Sequence, residues 1–146
     1  MADTKSRYVR AVGAAKTRPQ TDAERSVSSL RRGAGRAEEM QRDLKALRGQ
    51  IVAQQRWLDD PANATDDLWF QRKEIWNDRW TMLLQGIGNL VGWVAIHLAE
   101  AERVPPGPIR DRVRRDTERL LAVEQWIEQS GACELRQYPN DEEPPF

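Results

Sequence analysis

The order of apolar and polar residues predicts helices over most of the chain. Between residues 37 and 60, apolar residues recur at steps of four and three, interrupted once by Gln54. This spacing places them on one helix face and is typical of helices that pair side by side. Asp59-Asp60-Pro61 is expected to end the helix, because proline cannot continue it. The stripe consists of Met40, Leu44, Leu47, Ile51 and Leu58.

The longest predicted helix lies between residues 66 and 103, where no proline occurs. Thr65 is expected to cap its N-terminus, because a threonine hydroxyl accepts a hydrogen bond from the first turn. The run Pro105-Pro106-Gly107 should end it. Its apolar face keeps the four–three spacing and contains Trp76, Trp80, Leu83, Ile87, Leu90, Val94, His97 and Ala101.

Two shorter helices complete the predicted fold. Thr21 and Glu24 have the spacing of a capping box, and the helix that follows is expected to end at Gly33. Pro108 suits the first position of a last helix, which should end at Gly131. No segment shows the alternation of a half-buried strand. We therefore predict an all-α protein, a bundle of about four helices with a long central helix.

The composition divides the chain into three parts. Residues 1–20 are basic and are expected to form an N-terminal arm or a short helix. Residues 21–131 carry the helical pattern and are expected to form the bundle domain, and residues 132–146 an acidic, proline-rich tail. Residues 1–20 lack the apolar core of a secretion signal, so we expect a cytoplasmic protein.

The segment from Trp80 to Ala99 contains no charged residue, which leaves two interpretations. Twenty such residues are long enough to cross a bilayer. Gln85, Asn89 and His97 interrupt the apolar character, however, so we favour a central helix that neighbouring helices bury on most sides. We therefore expect no membrane among the partners.

The residues needed for catalysis or metal binding are scarce. The chain has one His and one Cys, too few for a metal cluster or a disulfide framework. His97 falls on the apolar face of the long helix, which favours a structural role. There is no G-x-S-x-G, phosphate-binding glycine loop or H-E-x-x-H motif. We therefore expect a protein that is not an enzyme and has no catalytic residues, metal or cofactor.

The net charge is zero, but the charges are unevenly distributed. Residues 1–57 contain 13 Lys and Arg against 6 Asp and Glu, a net charge of +7, and residues 58–146 a net charge of −7. Such asymmetry indicates a surface for polyanions, although a solvated helix face is the alternative. The candidate nucleic-acid-binding residues are Arg25, Arg31, Arg32 and Arg36 near the start of the chain, and Arg112, Arg115 and Arg119 on the last helix.

Tryptophans and glycines suggest where partners bind. Trp76 and Trp80 lie on the apolar stripe and are expected in the core, although nearby basic residues leave base stacking as an alternative. Trp69 and Trp93 are expected at an exposed or interfacial position. Gly88 and Gly92 would let a second helix approach closely. We therefore predict a partner interface that contains Gly88, Gly92, Trp93 and Trp69, with further copies of the chain among the candidate partners.

The segment Ser29-Leu30-Arg31-Arg32-Gly33-Ala34-Gly35-Arg36 resembles the small subunit of CRISPR Cascade-type effector complexes. The resemblance covers residues 25–36, together with overall size and helicity. It implies an all-helical protein without catalytic residues, present in several copies, whose basic face holds the backbone of guide or displaced nucleic acid. In this chain Arg31, Arg32 and Arg36 would belong to that face.

Together these patterns favour a non-enzymatic helical subunit of a ribonucleoprotein complex. It would bind the backbone of RNA or single-stranded DNA through arginines and pack on neighbouring protein subunits. The alternative is a structural or adaptor protein of a larger assembly, such as a phage virion, without a nucleic-acid role.

Overall fold

The computed structural model describes residues 21–130, which form three α-helices and one short 3-10 turn. Helix α1 spans Asp22–Asp59, the turn Pro61–Asn63, α2 Trp69–Arg103 and α3 Pro108–Gln129. Within residues 21–130 there is no strand, so the all-α prediction is confirmed. Over these described residues, three helices replace the predicted four. The predicted arm and tail lie outside the described residues.

Helix α1 joins two segments that the sequence predicted as separate helices. Its N-terminus is the predicted capping box: the Glu24 amide donates to Thr21 Oγ1 at 3.1 Å, and the Thr21 amide donates to Glu24 Oε1 at 3.0 Å. The predicted break at Gly33 is wrong. Gly33 and Ala34 are buried inside the helix, where packing against α2 outweighs the low helix propensity of glycine.

The ends of α2 and α3 match the prediction only in part. Helix α2 begins at Trp69, and Leu68 rather than Thr65 occupies its cap position. The preceding turn is held by Asp66, whose Oδ1 accepts a hydrogen bond from the Leu68 amide at 2.7 Å. Helix α3 begins at Pro108 as expected, after Gly107 with φ of 138°. Glycine adopts that conformation without the strain that a side chain would add.

The helices run up, down and up. Ser29 donates to Glu100 at 2.7 Å near the start of α1, and Leu58 lies against Trp69 at its end, so α1 and α2 are antiparallel. Helix α3 is parallel to α1 and pairs Arg119 with Glu38. Since α3 has 22 residues against 38 and 35 in α1 and α2, it is about 20 Å shorter than either at 1.5 Å per residue.

The molecule therefore has two regions. In the three-helix section, α1 up to Arg48 and α2 beyond residue 79 pack with α3. In the paired-helix end, residues 49–59 of α1 and 69–79 of α2 continue past the last turn of α3. One core runs through both, and its fully buried apolar side chains include Leu30, Ile51, Leu58, Trp69, Trp76, Leu83, Leu90 and Leu120.

Helix α2 is buried on one side rather than on most sides, which corrects the expectation from its uncharged sequence. Only 22% of its most apolar window is buried. The physical reason is the number of neighbours, because two helices cover one side of a third and leave the other free. Among residues 21–130, α2 is the one helix whose length and apolar composition would suffice to cross a membrane.

Candidate nucleic-acid interface and partner face

The two arginine groups come together along the groove between α1 and α3. Arg119 Nη2 lies 2.6 Å from Glu38 Oε1, and Lys45 Nζ lies 5.8 Å from the centre of the Trp126 ring. In both contacts the two residues are 81 positions apart in the sequence. Helices α1 and α3 therefore keep the same register over one seven-residue repeat. One repeat earlier, the same register sets Arg31 opposite Arg112. Two patches predicted separately therefore share one groove.

Arg119 joins α3 to α1, and its guanidinium is occupied by two carboxylates. Its Nε and Nη2 donate to the two carboxylate oxygens of Glu38 at 3.1 and 2.6 Å, and its Nη1 donates to Asp116 at 2.9 Å. Asp116 is buried, which makes this arginine its neutralising partner. That Arg119 binds nucleic acid stays a prediction, and a phosphate there would have to displace Glu38 from the guanidinium.

The electrostatics of Glu38 show which other cations line the groove. The Arg119 hydrogen bond and charge hold the pKa of Glu38 below its ordinary value, and the charges of Arg42 and Arg115 lower that pKa further. The pKa of Arg119 is raised, chiefly by its hydrogen bond to Glu38. Arg42 and Arg115 therefore lie near the same carboxylate, which Arg119 already occupies on both oxygens.

The remaining cations define an arginine groove, a name used below for Arg31, Arg42, Arg112 and Arg115. All four side chains are exposed, and no ion pair joins them to any residue between 21 and 130. Arg32 is exposed on α1 beside them. Arg42 was not predicted from the sequence, although it lies eleven residues after Arg31 and hence on the same side of the helix.

Arg25 and Arg36 have partners within α1. Arg25 pairs with Asp22, and Arg36 Nη1 lies 2.8 Å from Glu39 Oε1. Both pairs are exposed, and such pairs contribute about 0–1 kcal/mol, so a phosphate can compete for these arginines at low cost. They lie at the edge of the candidate interface and not at its centre.

Three tryptophans fasten α2 to the backbone of α1. Trp69, Trp76 and Trp93 donate their indole N–H to the carbonyls of Leu58, Ile51 and Gly33, at 3.1, 3.1 and 2.9 Å. A buried indole N–H needs an acceptor, and α1 provides one at each level.

Burial corrects one predicted partner residue, Trp69, and the interfacial role of Trp93 stays a prediction. Trp69 is fully buried, so its expected exposed role is wrong. Trp93 is half-buried and bound within the chain. Trp76 and Trp80 lie in the core as predicted, with their rings stacked at 6.1 Å.

The contact between Gly33 and His97 explains why α1 has a glycine in its middle. A Cβ atom on Gly33 would lie 2.2 Å from His97 Cδ2. The imidazole is buried, and its Nδ1 lies 2.8 Å from the Trp93 carbonyl oxygen, which accepts the hydrogen bond. His97 is therefore a packing residue, as its position on the apolar stripe predicts. Among the described residues, no three metal-binding side chains lie close together.

The side of α2 opposite the core forms a second candidate surface. Six residues there repeat at steps of three and four, carry no charge and are exposed; Ile96 is 66% exposed and Met82 57%. A Cβ atom on Gly88 or Gly92 would meet nothing within 4 Å, so both positions are open to a partner. This outer face, as it is called below, consists of Met82, Gln85, Asn89, Gly92, Ile96 and Ala99.

A second groove, between α2 and α3, has a mixed lining. Its apolar residues include Leu98, Val113 and Leu121, and its charged residues are Glu102, Asp111, Glu118 and Glu124 against Arg110 and Arg114. Because carboxylates outnumber arginines here, the arginine groove attracts phosphates more strongly and is the candidate interface for them.

No protein family, curated protein or solved structure matches the chain. The functional conclusions therefore rest on the two surfaces of the chain itself, the arginine groove between α1 and α3 and the uncharged outer face of α2.

Proposed function

We propose that the protein is a non-enzymatic helical subunit of a ribonucleoprotein complex, which holds a nucleic-acid backbone in the arginine groove and packs on neighbouring subunits. One observation carries this proposal: Arg31 and Arg112, which the register of α1 and α3 places opposite each other, are both exposed and have no ion pair with a residue between 21 and 130. Two facing cations repel each other, and an anion between them turns that repulsion into attraction. A phosphate is such an anion.

The extent of the groove suits a chain of phosphates rather than a single ion. Arg31 and Arg42 are separated by about 16 Å along α1, at 1.5 Å rise per residue. Neighbouring phosphates on one DNA strand are spaced by about 3.4 Å along the helix axis, so several fit within this length. Arginine supplies the planar fork that matches a phosphate.

The groove supports backbone binding without readout of base sequence. The four side chains that define it are arginines suited to phosphates, and contacts to phosphates position a nucleic acid without specifying its bases. Residues 25–36 resemble the Cascade small subunit, and Arg31 and Arg32 of that segment are among the exposed arginines that this proposal uses. Membership of that family stays a prediction. The genes next to the one that encodes this chain would test it, because effector-complex genes are expected there.

The test is the salt dependence of binding to unstructured RNA and single-stranded DNA. Arg31→Gln and Arg112→Gln are each expected to weaken binding at all sequences and to reduce the log–log salt slope by about 0.7. Arg56→Gln is the control, because Arg56 is exposed on α1 at the paired-helix end. Equal loss in the control would mean diffuse charge attraction. No binding at low salt, including in the assembled complex, would refute the proposal.

A structural or adaptor protein of a larger assembly, without a nucleic-acid role, is the second candidate. The outer face of α2 favours it, because an uncharged, exposed surface of this kind marks a site of protein association. Nuclease treatment distinguishes the two candidates. An assembly that keeps this subunit after complete digestion, and that tolerates Arg31→Gln together with Arg112→Gln, would support the adaptor.

A further inference from the structure

The outer face of α2 has the pattern of a second helix-pairing seam. Its residues are spaced three and four apart from Met82 to Ala99, the spacing of coiled-coil core positions. The true core of the bundle lies on the opposite side of the same helix, where Leu83, Leu90 and Val94 are buried. Helix α2 thus carries two pairing stripes, and residues 21–130 fill only one of them.

We propose that the outer face binds a second copy of this chain, with the two α2 helices antiparallel across a twofold axis between Leu90 and Val91. In this register each large side chain meets a smaller or polar one. Met82 lies opposite the partner's Ala99, Gln85 opposite the partner's Ile96, and Asn89 opposite the partner's Gly92. The twofold axis repeats each pair, so one surface is complementary to itself, as such an interface requires.

The charges at both ends of the seam select the antiparallel arrangement. The same register brings Asp78 opposite the partner's Arg103, and the twofold axis repeats this pair at the other end of the seam. Opposite charges therefore flank the uncharged seam at both ends. A parallel pair in register would instead place each of these charges against its own copy and repel. Electrostatic complementarity of this kind fixes register and orientation.

Both charged groups are available for this contact. Asp78 and Arg103 are exposed, and neither has an ion pair with a residue between 21 and 130.

Charge reversal tests the proposed register. The full chain is expected to be in a concentration-dependent equilibrium between monomer and dimer in analytical ultracentrifugation. Asp78→Arg or Arg103→Asp alone should raise the dissociation constant at least tenfold, and the two together in one chain should restore it to within about threefold. Gly92→Gln should also raise it, whereas Gly49→Gln, on an exposed site of α1 with nothing within 4 Å of its Cβ, should not.

Cross-linking tests the orientation in a Cys133→Ser background. An equimolar mixture of Gln85→Cys and Ile96→Cys chains should form a disulfide-linked dimer with one chain of each kind. Either variant alone should form much less, because antiparallel pairing separates identical positions. Efficient cross-linking of each variant with itself would indicate a parallel pair and overturn the proposal.

Two other outcomes would also overturn it. One is a chain that stays monomeric at every concentration tested, with circular dichroism showing that it is folded. The other is a monomer that floats with vesicles of phosphatidylcholine and phosphatidylglycerol, which would assign the outer face to a lipid surface. The inference does not depend on the arginine groove, because dimerisation is measured without nucleic acid and with Arg31 and Arg112 unchanged.

Discussion

The three-helix section and the paired-helix end achieve burial by opposite means. In the three-helix section, α1 presents small buried residues, among them Gly33, Ala34 and Ala37, so that α2 and α3 approach closely. In the paired-helix end, α2 presents Trp69 and Trp76, whose rings fill the space beside α1. A third helix allows small residues in the core, whereas a helix pair needs bulk to exclude water.

The largest expected effect is at the paired-helix end. Trp76→Ala should lower the free energy of unfolding by about 3–5 kcal/mol, because it removes a fully buried ring and leaves a cavity. Trp76→Phe keeps an aromatic ring in the core, and the Ile51 carbonyl keeps its hydrogen bond within α1. This substitution should therefore lower the free energy of unfolding by less. Ile75→Ala is the control, since Ile75 is 44% exposed. Equal losses from Trp76→Ala and Ile75→Ala in chemical denaturation would contradict this account of burial.

The next effect is at the closest contact of the three-helix section. Gly33→Ala should destabilise the fold by about 1–3 kcal/mol through overpacking, because the new methyl group would overlap the His97 ring. Gly49→Ala should instead stabilise it by up to about 1 kcal/mol, since alanine favours a helix and the site is open. Thermal or chemical unfolding measures both.

The pair Gly33→Ala and His97→Ala provides a further check on that contact. If the methyl group acts by touching the ring, its cost should be smaller in the His97→Ala background, a coupling that a double-mutant cycle measures. Additive losses would show that Gly33 is needed for another reason.

The smallest effect concerns the brace between α3 and α1. The pKa of Glu38 is lowered in the folded chain, so its contribution is present above the pKa of the unfolded chain and is lost as the pH falls through the folded pKa. Glu38 and Arg119 are 36% and 30% exposed, so solvent screens the pair. Glu38→Gln should therefore cost about 0.2–1 kcal/mol at neutral pH.

The pH dependence of that loss distinguishes the brace from a packing effect. The difference in unfolding free energy between the wild-type chain and Glu38→Gln should shrink as the pH is lowered below the ordinary range of a glutamate. If this difference stays constant down to acid pH, the loss of stability in Glu38→Gln comes from packing and not from charge. Glu118→Gln, at an exposed position on α3, serves as the matched control.

The local sequence was sufficient wherever the determining contacts are local. The capping box of Thr21 and Glu24 joins residues three apart, and Gly107 and Pro108 define the start of α3 by their own backbone preferences. The stripes that bury Leu44, Ile51 and Leu83 follow from helical periodicity alone. These features were predicted without knowledge of the tertiary structure.

The local sequence was insufficient wherever a distant residue decides the outcome. Gly33 was predicted to end a helix because its contact with His97 joins distant segments of the chain. The ion pair of Arg119 with Glu38 could not be predicted for the same reason. The burial of Trp69 could have been predicted from the sequence, because Trp69 precedes Trp76 by one seven-residue repeat and so lies on the same buried face. Both surfaces of functional interest also depend on how many helices the bundle has.

The up-down-up order of the helices has a consequence for the electric potential of the molecule. The N-termini of α1 and α3 lie at one end of the bundle beside the C-terminus of α2. Each N-terminus carries a partial charge of about +0.5 and each C-terminus about −0.5, so that end has a net positive contribution from the peptide dipoles. Arg112 lies little more than one turn from the start of α3, so the helix dipole of α3 reinforces its charge. An incoming polyanion should be attracted first to this end of the arginine groove.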